Sequence, residues 1–282
     1  MKLKKTLVGL AVLTALIGLA ACSNSSSTSS SSSGSSNSQY LDKIVKNKEL
    51  VVATSAEFAP FEFQTVVNGK NQIVGSDIDL ANAIGKALGV KVVVQNMDFD
   101  NVLASVQTGK ADIAIAGISA TPDREKAFDF STPYYQPSNA IVVKKSDLSK
   151  YSGISSLDGK QITAQKGSTQ EMVAQSQLSK ATLVSLPGNS DEVTQVESGQ
   201  VVAAVMDSIV AKNYVDTNSD LAIAKISLTK TAEDAAFAVG MPKNSGELKT
   251  KIDKVISDLK ASGEIQKMID KNITLSEKST GK

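Results

Sequence analysis

One pattern occurs twice in this chain, and it limits the folds that the chain can adopt. Residues 106–117 (VQTGKADIAIAG) align without gaps with residues 196–207 (VESGQVVAAVMD). Each stretch contains the end of a helix, a glycine that stops it, and an apolar run typical of a buried strand. Predicted strands and helices alternate along the chain, which indicates parallel sheets covered by helices on both faces. We therefore predict an α/β protein with two similar lobes, in which Gly117 and Asp207 lie at equivalent strand ends.

The N-terminal residues predict export and attachment to a membrane. Lysines within residues 1–5 precede an apolar run, residues 6–20, which is too short for a transmembrane helix and typical of a signal peptide. Small residues precede Cys22, the only cysteine of the sequence, and resemble a lipobox, so we expect two acyl chains on Cys22. Ordinary secretion with an incidental cysteine is the alternative. We assign residues 1–21 to the signal peptide and residues 22–39 to the lipidated cysteine and a disordered, serine-rich tether.

The composition argues against several classes of protein. Three of the 30 basic residues lie in the signal peptide, and the rest nearly balance the 29 acidic residues. Without a lysine-rich block, we do not expect a nucleic acid as partner. The sequence has no histidine and its single cysteine is expected to be acylated, so a Ser-His-Asp triad or a zinc site is unavailable. We expect no metal and no cofactor. The roughly 240 residues after the tether are enough for two lobes.

The only arginine of the sequence, Arg124, follows a predicted buried strand over residues 111–116. A helix is predicted to begin at Thr121, with a proline at its first position. Arg124 then points back over the strand end, towards the backbone N–H of Gly117 and the hydroxyl of Ser119. Such a group of donors suits a carboxylate that a guanidinium holds through two atoms. A surface arginine paired with a neighbouring acidic residue is the alternative.

Aromatic residues follow the predicted strand at residues 49–54. Phe58, Phe61 and Phe63 lie within six residues, at the kind of strand end where open α/β sheets bind ligands. A core position for all three is the alternative. We expect it for Phe61, whereas we predict that Phe58 faces a ligand.

Two polar positions in the second half of the chain also indicate ligand contacts. Asp207 follows apolar and small residues, where a carboxylate without a partner is costly. Its partner is either a lysine of the protein or the ammonium group of a ligand. Ser168 and Thr169 follow Gly167 at a predicted helix start, and they offer hydroxyl and N–H groups to an anion. Ordinary capping of the helix is the alternative for this pair.

Several motifs resemble those of one protein family. They are GSDIDLANAIGKALG at residues 75–89, ISATPDREKAFDFS at residues 118–131 and QKGSTQE at residues 165–171. The resemblance is to the polar amino-acid-binding proteins of ABC importers, the family 3 extracellular solute-binding proteins, and it covers residues 40 to about 271. It implies a two-lobed periplasmic-binding-protein-like fold of type II, with two hinge strands and the ligand in the cleft between the lobes. The implied lobes are residues 40–138 with 236–282, and residues 139–235.

The resemblance also implies how the ligand's amino-acid end is held. Arg124 grips the α-carboxylate with help from the Gly117 N–H and from Ser119. Asp207, in the other lobe, takes the α-ammonium together with the Ala116 carbonyl. A helix start in the second lobe adds further donors to the carboxylate. The residues implied for this end are Ala116, Gly117, Ser119, Arg124, Ser168, Thr169 and Asp207.

At the other end of the ligand, the resemblance implies that Phe58 and Phe99 face its side chain from two sides. The sequence departs from the family at Ser55, where many relatives carry an aspartate, and at Glu57, where relatives often carry a small or polar residue. Two aromatic faces suit a guanidinium, and Glu57 supplies a counter-charge. Our hypothesis is a basic ligand, arginine first and then lysine or ornithine. Glutamine or cystine is the alternative.

The expected partners are an L-amino acid, the permease and ATPase subunits of an ABC importer, and the membrane that holds the lipid on Cys22. We expect a monomer on the extracellular face of the cell membrane, and we do not expect an enzyme. One alternative is an enzyme resembling cyclohexadienyl dehydratase, for which Glu57 is the obvious acid–base group. A surface receptor or adhesin is the other.

Overall fold

The computed structural model describes residues 38–279. The predicted signal peptide, Cys22 and most of the predicted tether lie outside the described residues, so these assignments stay predictions. Within residues 38–279, no helix is both long enough and apolar enough to cross a membrane.

Nine helices and thirteen strands make up the described part of the chain. The helices are α1 Gln39–Asn47, α2 Ser76–Leu88, α3 Phe99–Gln107, α4 Pro122–Ala127, α5 Thr169–Gln177, α6 Asn189–Ser198, α7 Ser208–Thr217, α8 Gly246–Ala261 and α9 Glu264–Ser279. The strands are β1 Glu49–Thr54, β2 Glu57–Phe58, β3 Glu62–Val67, β4 Lys70–Val74, β5 Lys91–Asn96, β6 Ile113–Ala114, β7 Phe128–Phe130, β8 Asn139–Lys144, β9 Gln161–Gln165, β10 Thr182–Leu186, β11 Ala203–Asp207, β12 Leu221–Ile223 and β13 Gly240–Pro242.

Two five-stranded sheets share one topology. Their strand orders are β5-β1-β6-β13-β7 and β10-β9-β11-β8-β12. In each sheet the first three strands are parallel, and the fourth strand runs antiparallel to its neighbours. The central strands β6 and β11 come from the two copies of the repeated sequence pattern. The prediction of an α/β protein with two similar lobes is therefore confirmed.

The predicted strand over residues 111–116 is shorter in the structure. The regular strand β6 covers only Ile113–Ala114. The N–H groups of Asp112 and Ile115 still donate hydrogen bonds to carbonyls of β1, so the pairing extends a little beyond the strand. The chain then turns at Gly117, where φ is +56°. This turn aims the following residues at the cleft between the lobes.

The chain passes between the two sheets twice. It leaves the first sheet after β7, and it returns from β12 to β13. The two crossing segments pair with each other at a bridge between Tyr135 and Phe237. The return crossing begins with a 3-10 turn at Ala232–Asp234 and ends in β13. The lobe boundaries given above stay a prediction.

A two-residue turn joins β3 to β4 in a small third sheet, β2-β3-β4. Asn68 and Gly69 form this turn, with φ of 51° and 75°. Positive φ at both central positions is the geometry that an Asn-Gly hairpin turn adopts. In the same sheet, β2 brings Glu57 and Phe58 to the edge of the cleft.

Helix α8 closes the core of the first lobe with one apolar face. Leu248, Ile252 and Ile256 follow each other at intervals of four residues and are fully buried. Such spacing places the three side chains on one side of the helix. The first lobe therefore depends on this face for part of its stability.

We expect the substitution Ile252→Ala to lower the free energy of unfolding by about 2–5 kcal/mol, because it removes buried methyl groups and leaves a cavity. Chemical denaturation of the full chain measures this loss. Lys251→Ala, on the exposed face of the same helix, is the matched control and should change stability by less than about 0.5 kcal/mol. An equal effect of the two substitutions would contradict the packing described here.

Candidate ligand-binding site

Arg124 lies in the first turn of α4, where the sequence predicts it. Thr121 caps the helix, because its side chain accepts a hydrogen bond from the Arg124 N–H (3.3 Å). The guanidinium donates to the carbonyl of Ser119 (2.9 Å) and, in the other lobe, to that of Gly167 (3.0 Å). Its Cζ atom lies 5.8 Å from the centre of the Phe99 ring.

The guanidinium of Arg124 has no acidic partner at ion-pair distance within residues 38–279. The adjacent Asp123 pairs instead with Lys126 (2.5 Å), so the surface ion pair that the sequence left open with Asp123 does not form. Burial lowers the pKa of Arg124 to about 10, and the group stays charged at neutral pH. The site therefore holds a cation that is available to an anion.

Asp207 provides the opposite charge from the second lobe. It ends β11, caps α7 through the hydrogen bond from the Ile209 N–H to Oδ1 (2.9 Å), and is fully buried. Its Oδ2 atom has no hydrogen-bond partner among the described residues, and none of the described ion pairs places a lysine on it. Burial raises the pKa of Asp207 to about 7, although backbone N–H groups lower it in part. A cation beside Oδ2 would relieve the cost of this buried oxygen.

The hydroxyl groups near these charges differ in their availability. Ser119 is buried, and its Oγ has no partner among the described residues. Ser168 caps α5 by accepting the Glu171 N–H (3.1 Å), which is the ordinary capping that the sequence left open. Thr169 is buried as the first residue of that helix. Within residues 38–279, Ser119 is the one of the three whose hydroxyl has no partner, because the Thr169 hydroxyl donates to Oε1 of Gln170 (3.4 Å).

The predicted role of the Gly117 N–H is not supported by the structure. This N–H donates to Oδ2 of Asp77 (2.9 Å), which also accepts the hydroxyl of Tyr134 (2.7 Å). Burial raises the pKa of Asp77 to about 6, against the effect of those two donors. The N–H is therefore occupied within the protein. Ala116, whose carbonyl is predicted to meet the ammonium, is buried just before this turn.

A second carboxyl group completes the buried cluster around Asp77. Glu62 lies beside Asp77, and both are buried. Burial raises the pKa of Glu62 well above its ordinary value, and the charge and hydrogen bond of Asp77 raise it further. The sequence shows Asp77 only as part of the GSDID motif, and it gives no sign that a second buried carboxyl group lies beside it.

Phe58 is more deeply buried than predicted. Its ring packs on Phe61 (5.5 Å between ring centres) and Phe237 (6.1 Å), and 9% of the residue is exposed. Phe61 is fully buried, as predicted. No direct ring contact joins Phe58 to Phe99 among the described residues, so a sandwich of the two rings around a ligand stays a prediction.

Ser55 and Glu57 line a cavity of about 280 Å³ between the lobes. Ser55 is buried, whereas Glu57 is exposed. A Cβ atom added to Gly188 would lie 2.0 Å from Oε2 of Glu57, so this carboxylate lies against the N-terminal end of α6. The residues that line this cavity include Ser55, Glu57, Asn96, Asp98, Gly188 and Asp191.

Glu192 is a residue that the sequence analysis does not single out. It lies in the first turn of α6, is fully buried, and has no hydrogen-bond partner for either carboxylate oxygen among the described residues. Acidic residues are common in the first turn of a helix, so the sequence offers no signal that separates Glu192 from its exposed neighbour Asp191.

The lobes are in contact across the cleft. Besides the bond from Arg124 to Gly167, Lys166 pairs with Asp100 (2.9 Å) and the Tyr214 hydroxyl donates to the carbonyl of Glu57 (3.3 Å). These contacts bring the ends of the two sheets together, with Arg124 on one side and Asp207 on the other. The lobes therefore meet in a closed cleft, to which one lobe contributes Arg124 and the other Asp207.

The chain belongs to the bacterial extracellular solute-binding proteins, family 3, which it matches over residues 50–274. It is 34% identical over 229 residues to the arginine-binding extracellular protein ArtP of Bacillus subtilis (strain 168), covering 80% of this chain and 87% of ArtP. The amino acid ABC transporter substrate-binding protein AbpA from Streptococcus pneumoniae, whose crystal structure was determined with bound L-arginine, is 51% identical in sequence to this chain. Its TM-score is 0.81, and the match covers 83% of this chain and 98% of AbpA.

One enzyme is also similar to this chain. Cyclohexadienyl dehydratase of Pseudomonas aeruginosa is 29% identical over 174 residues, which is 61% of this chain and 64% of the enzyme. This similarity is lower and covers less of the chain than the similarity to the binding proteins. The type II fold and the family agree with the resemblance found in the sequence.

We expect Gly117→Ala to destabilise the protein, because a Cβ atom would lie 2.5 Å from Cε1 of Phe58 at a backbone φ of +56°. Gly89→Ala is the matched control, since φ is +71° there and no atom lies within 4 Å of the added Cβ. The control should cost about 1 kcal/mol from backbone strain, and Gly117→Ala about 1–3 kcal/mol more from overpacking. Chemical denaturation measures both, and equal losses would contradict the contact with Phe58.

Proposed function

We propose that this protein captures an L-amino acid with a basic side chain, arginine first, and delivers it to an ABC importer. The observation that carries the proposal is that Arg124 and Asp207 lie in different lobes and that neither has an ion-pair partner within residues 38–279. An α-amino acid carries a carboxylate and an ammonium at fixed spacing, and it complements this pair. The arginine-binding relatives support arginine as the ligand.

In this proposal, the two ends of the pair divide the ligand's α-groups between the lobes. Arg124 and the Ser119 hydroxyl hold the carboxylate, together with the start of α5 at Thr169. Asp207 and the Ala116 carbonyl hold the ammonium. The free oxygen of Asp207 and the free hydroxyl of Ser119 support these roles, because a ligand would give each of them its missing partner.

The ligand's side chain then extends between Phe58 and Phe99 towards Ser55 and Glu57. A guanidinium stacked on an aromatic face gains roughly 0.5–2 kcal/mol. Glutamine or cystine remains the alternative ligand, since flat amides and sulfur also suit aromatic faces.

Differential binding explains how capture is signalled to the importer. A ligand that contacts both lobes binds the closed state better than the open state, and it shifts the population towards closure. The permease and ATPase subunits then engage the closed protein. An ion with only one of the two charges leaves either Arg124 or Asp207 unpaired, so it gains less from closure.

An enzymatic function has weaker support. A dehydratase needs an acid–base group over the bound ring, and the candidate Glu57 is exposed, with its carboxylate against Gly188.

We also propose a monomer that is anchored through lipid on Cys22 at the extracellular face of the membrane. The sequence supports the anchor, and mass spectrometry of the purified protein would detect the acyl chains.

Arg124→Ala should lower the affinity for L-arginine by about a thousandfold, because it leaves the ligand's carboxylate without its charged partner; loss of one buried partner costs about 3–5 kcal/mol. Titration calorimetry on the full chain in detergent, freed of ligand by unfolding and refolding, measures the change. Lys126→Ala, two residues away and exposed, should bind as the unmodified protein does. A loss of less than about tenfold in Arg124→Ala, measured against the unmodified protein, would refute the site.

Affinity should also depend on pH. Asp207 must be ionised to pair with an ammonium, and its pKa is raised to about 7, so the ligand must displace a proton at lower pH. We expect the protonation of Asp207 alone to lower the affinity for L-arginine by up to about tenfold for each pH unit between 7 and 5, and any second carboxyl group that the ligand deprotonates adds to this loss. Calorimetry at several pH values tests this, with the exposed Asp123→Asn as a control of unchanged profile. A constant affinity from pH 5 to 7.5 would contradict the role of Asp207.

A further inference from the structure

Glu192 is a buried carboxyl group without a hydrogen-bond or ion-pair partner among the described residues. It is fully buried in the first turn of α6, and neither of its oxygens has a hydrogen-bond partner among the described residues. Asn189, one turn earlier, is also buried, and its Nδ2 atom has no partner either. Buried polar groups normally have partners, and a buried carboxylate without a donor is costly. The carboxyl group of Glu192 and the amide of Asn189 therefore lack hydrogen-bond partners that a ligand could supply.

The ionisable groups that face Glu192 are two carboxylates and a tyrosine hydroxyl, and none of them is a cation. Asp191 lies next to it on α6, Glu57 faces it from β2, and Tyr214 approaches from α7. Burial, followed by the charges of Asp191 and Glu57, raises the pKa of Glu192 well above its ordinary value. None of the ion pairs within residues 38–279 involves any of the three carboxylates.

This acidic group lies where the lobes meet. Helix α6 packs on β2, and the cavity beside them is lined by Glu57 and Asp98 from one lobe and by Asp191 from the other. The Glu57 carboxylate, on β2, lies against Gly188, the residue before α6. A ligand side chain that extends past Phe58 towards Glu57 would therefore approach the first turn of α6.

We propose that Glu192 selects ligands with a cationic side chain, by pairing its buried carboxylate with the guanidinium or ammonium at the far end of the ligand. This inference rests on the proposed function, in which Arg124 and Asp207 hold the α-groups. In this proposal, the main counter-charge to the ligand's side chain is the buried Glu192 of the second lobe, and not the exposed Glu57. Exposed ion pairs contribute little, whereas a buried carboxylate with no other partner discriminates strongly between a cation and a neutral group. Glu57 and Asp191 line the adjacent cavity and add negative charge beside Glu192.

The test compares L-arginine with L-citrulline, which has a neutral urea group in place of the guanidinium. In calorimetry on the full chain, freed of ligand as above, we expect arginine to bind at least about a hundredfold more tightly than citrulline. Glu192→Gln should abolish this preference by weakening arginine binding, while citrulline affinity changes less than about threefold. Glu57→Gln and Asp191→Asn remove neighbouring charges, and each should lower arginine affinity by less than about tenfold.

Proton release gives a second readout that needs no variant. Because Glu192 is protonated without a cation, arginine should displace about one more proton than citrulline does at pH 6.5. Titrations in buffers of different ionisation enthalpy measure the difference, and it should disappear in Glu192→Gln. A purely structural, permanently protonated Glu192 would release no extra proton.

The outcomes separate the two proposals. If Glu192→Gln keeps the preference for arginine, or if arginine and citrulline release equal numbers of protons, the selection by Glu192 is wrong and the amino-acid site stands. If the unmodified protein binds citrulline or glutamine as well as arginine, the same conclusion follows. If it binds no amino acid at all, the proposed function fails.

Discussion

Two opposite charges without an ion-pair partner among the described residues set the conditions for the rest of the structure. Arg124 and Asp207 belong to different lobes, and each is held by neutral groups, carbonyls of both lobes for the arginine and a backbone N–H for the aspartate. A direct ion pair between them would neutralise both and leave nothing for a ligand. No such pair forms, because the guanidinium is held by the carbonyls of Ser119 and Gly167 and one oxygen of Asp207 caps α7.

The repeated topology explains why the two charges face each other. In a parallel sheet the carboxyl ends of neighbouring strands lie along one edge, and ligands bind there. The central strands β6 and β11 end at this edge in their own lobes, so the turn at Gly117 and the cap at Asp207 are equivalent positions. Two short crossing segments, paired at Tyr135 and Phe237, allow these edges to meet without joining the lobes into one sheet.

The parts of this arrangement that the sequence predicts depend on local chemistry. Thr121 and the following proline predict the start of α4 and hence the direction of Arg124, because capping involves residues only three apart. The contacts that the sequence misses join distant residues. The Gly117 N–H is taken by Asp77, forty positions earlier, and Glu192 differs from Asp191 only in which side of α6 packs against the sheet. Burial of a single carboxylate depends on packing, which no local pattern encodes.

The contacts across the cleft are weak compared with the pairs that the proposed ligand would make. Lys166 and Asp100 leave 61% and 27% of their side chains exposed, so solvent screens their attraction. The bond from Tyr214 to Glu57 is long at 3.3 Å. The buried Asp207, by contrast, has a raised pKa because burial disfavours its charge. Under the proposed function, one molecule that supplies a cation to Asp207 and an anion to Arg124 would therefore add more to closure than these contacts do.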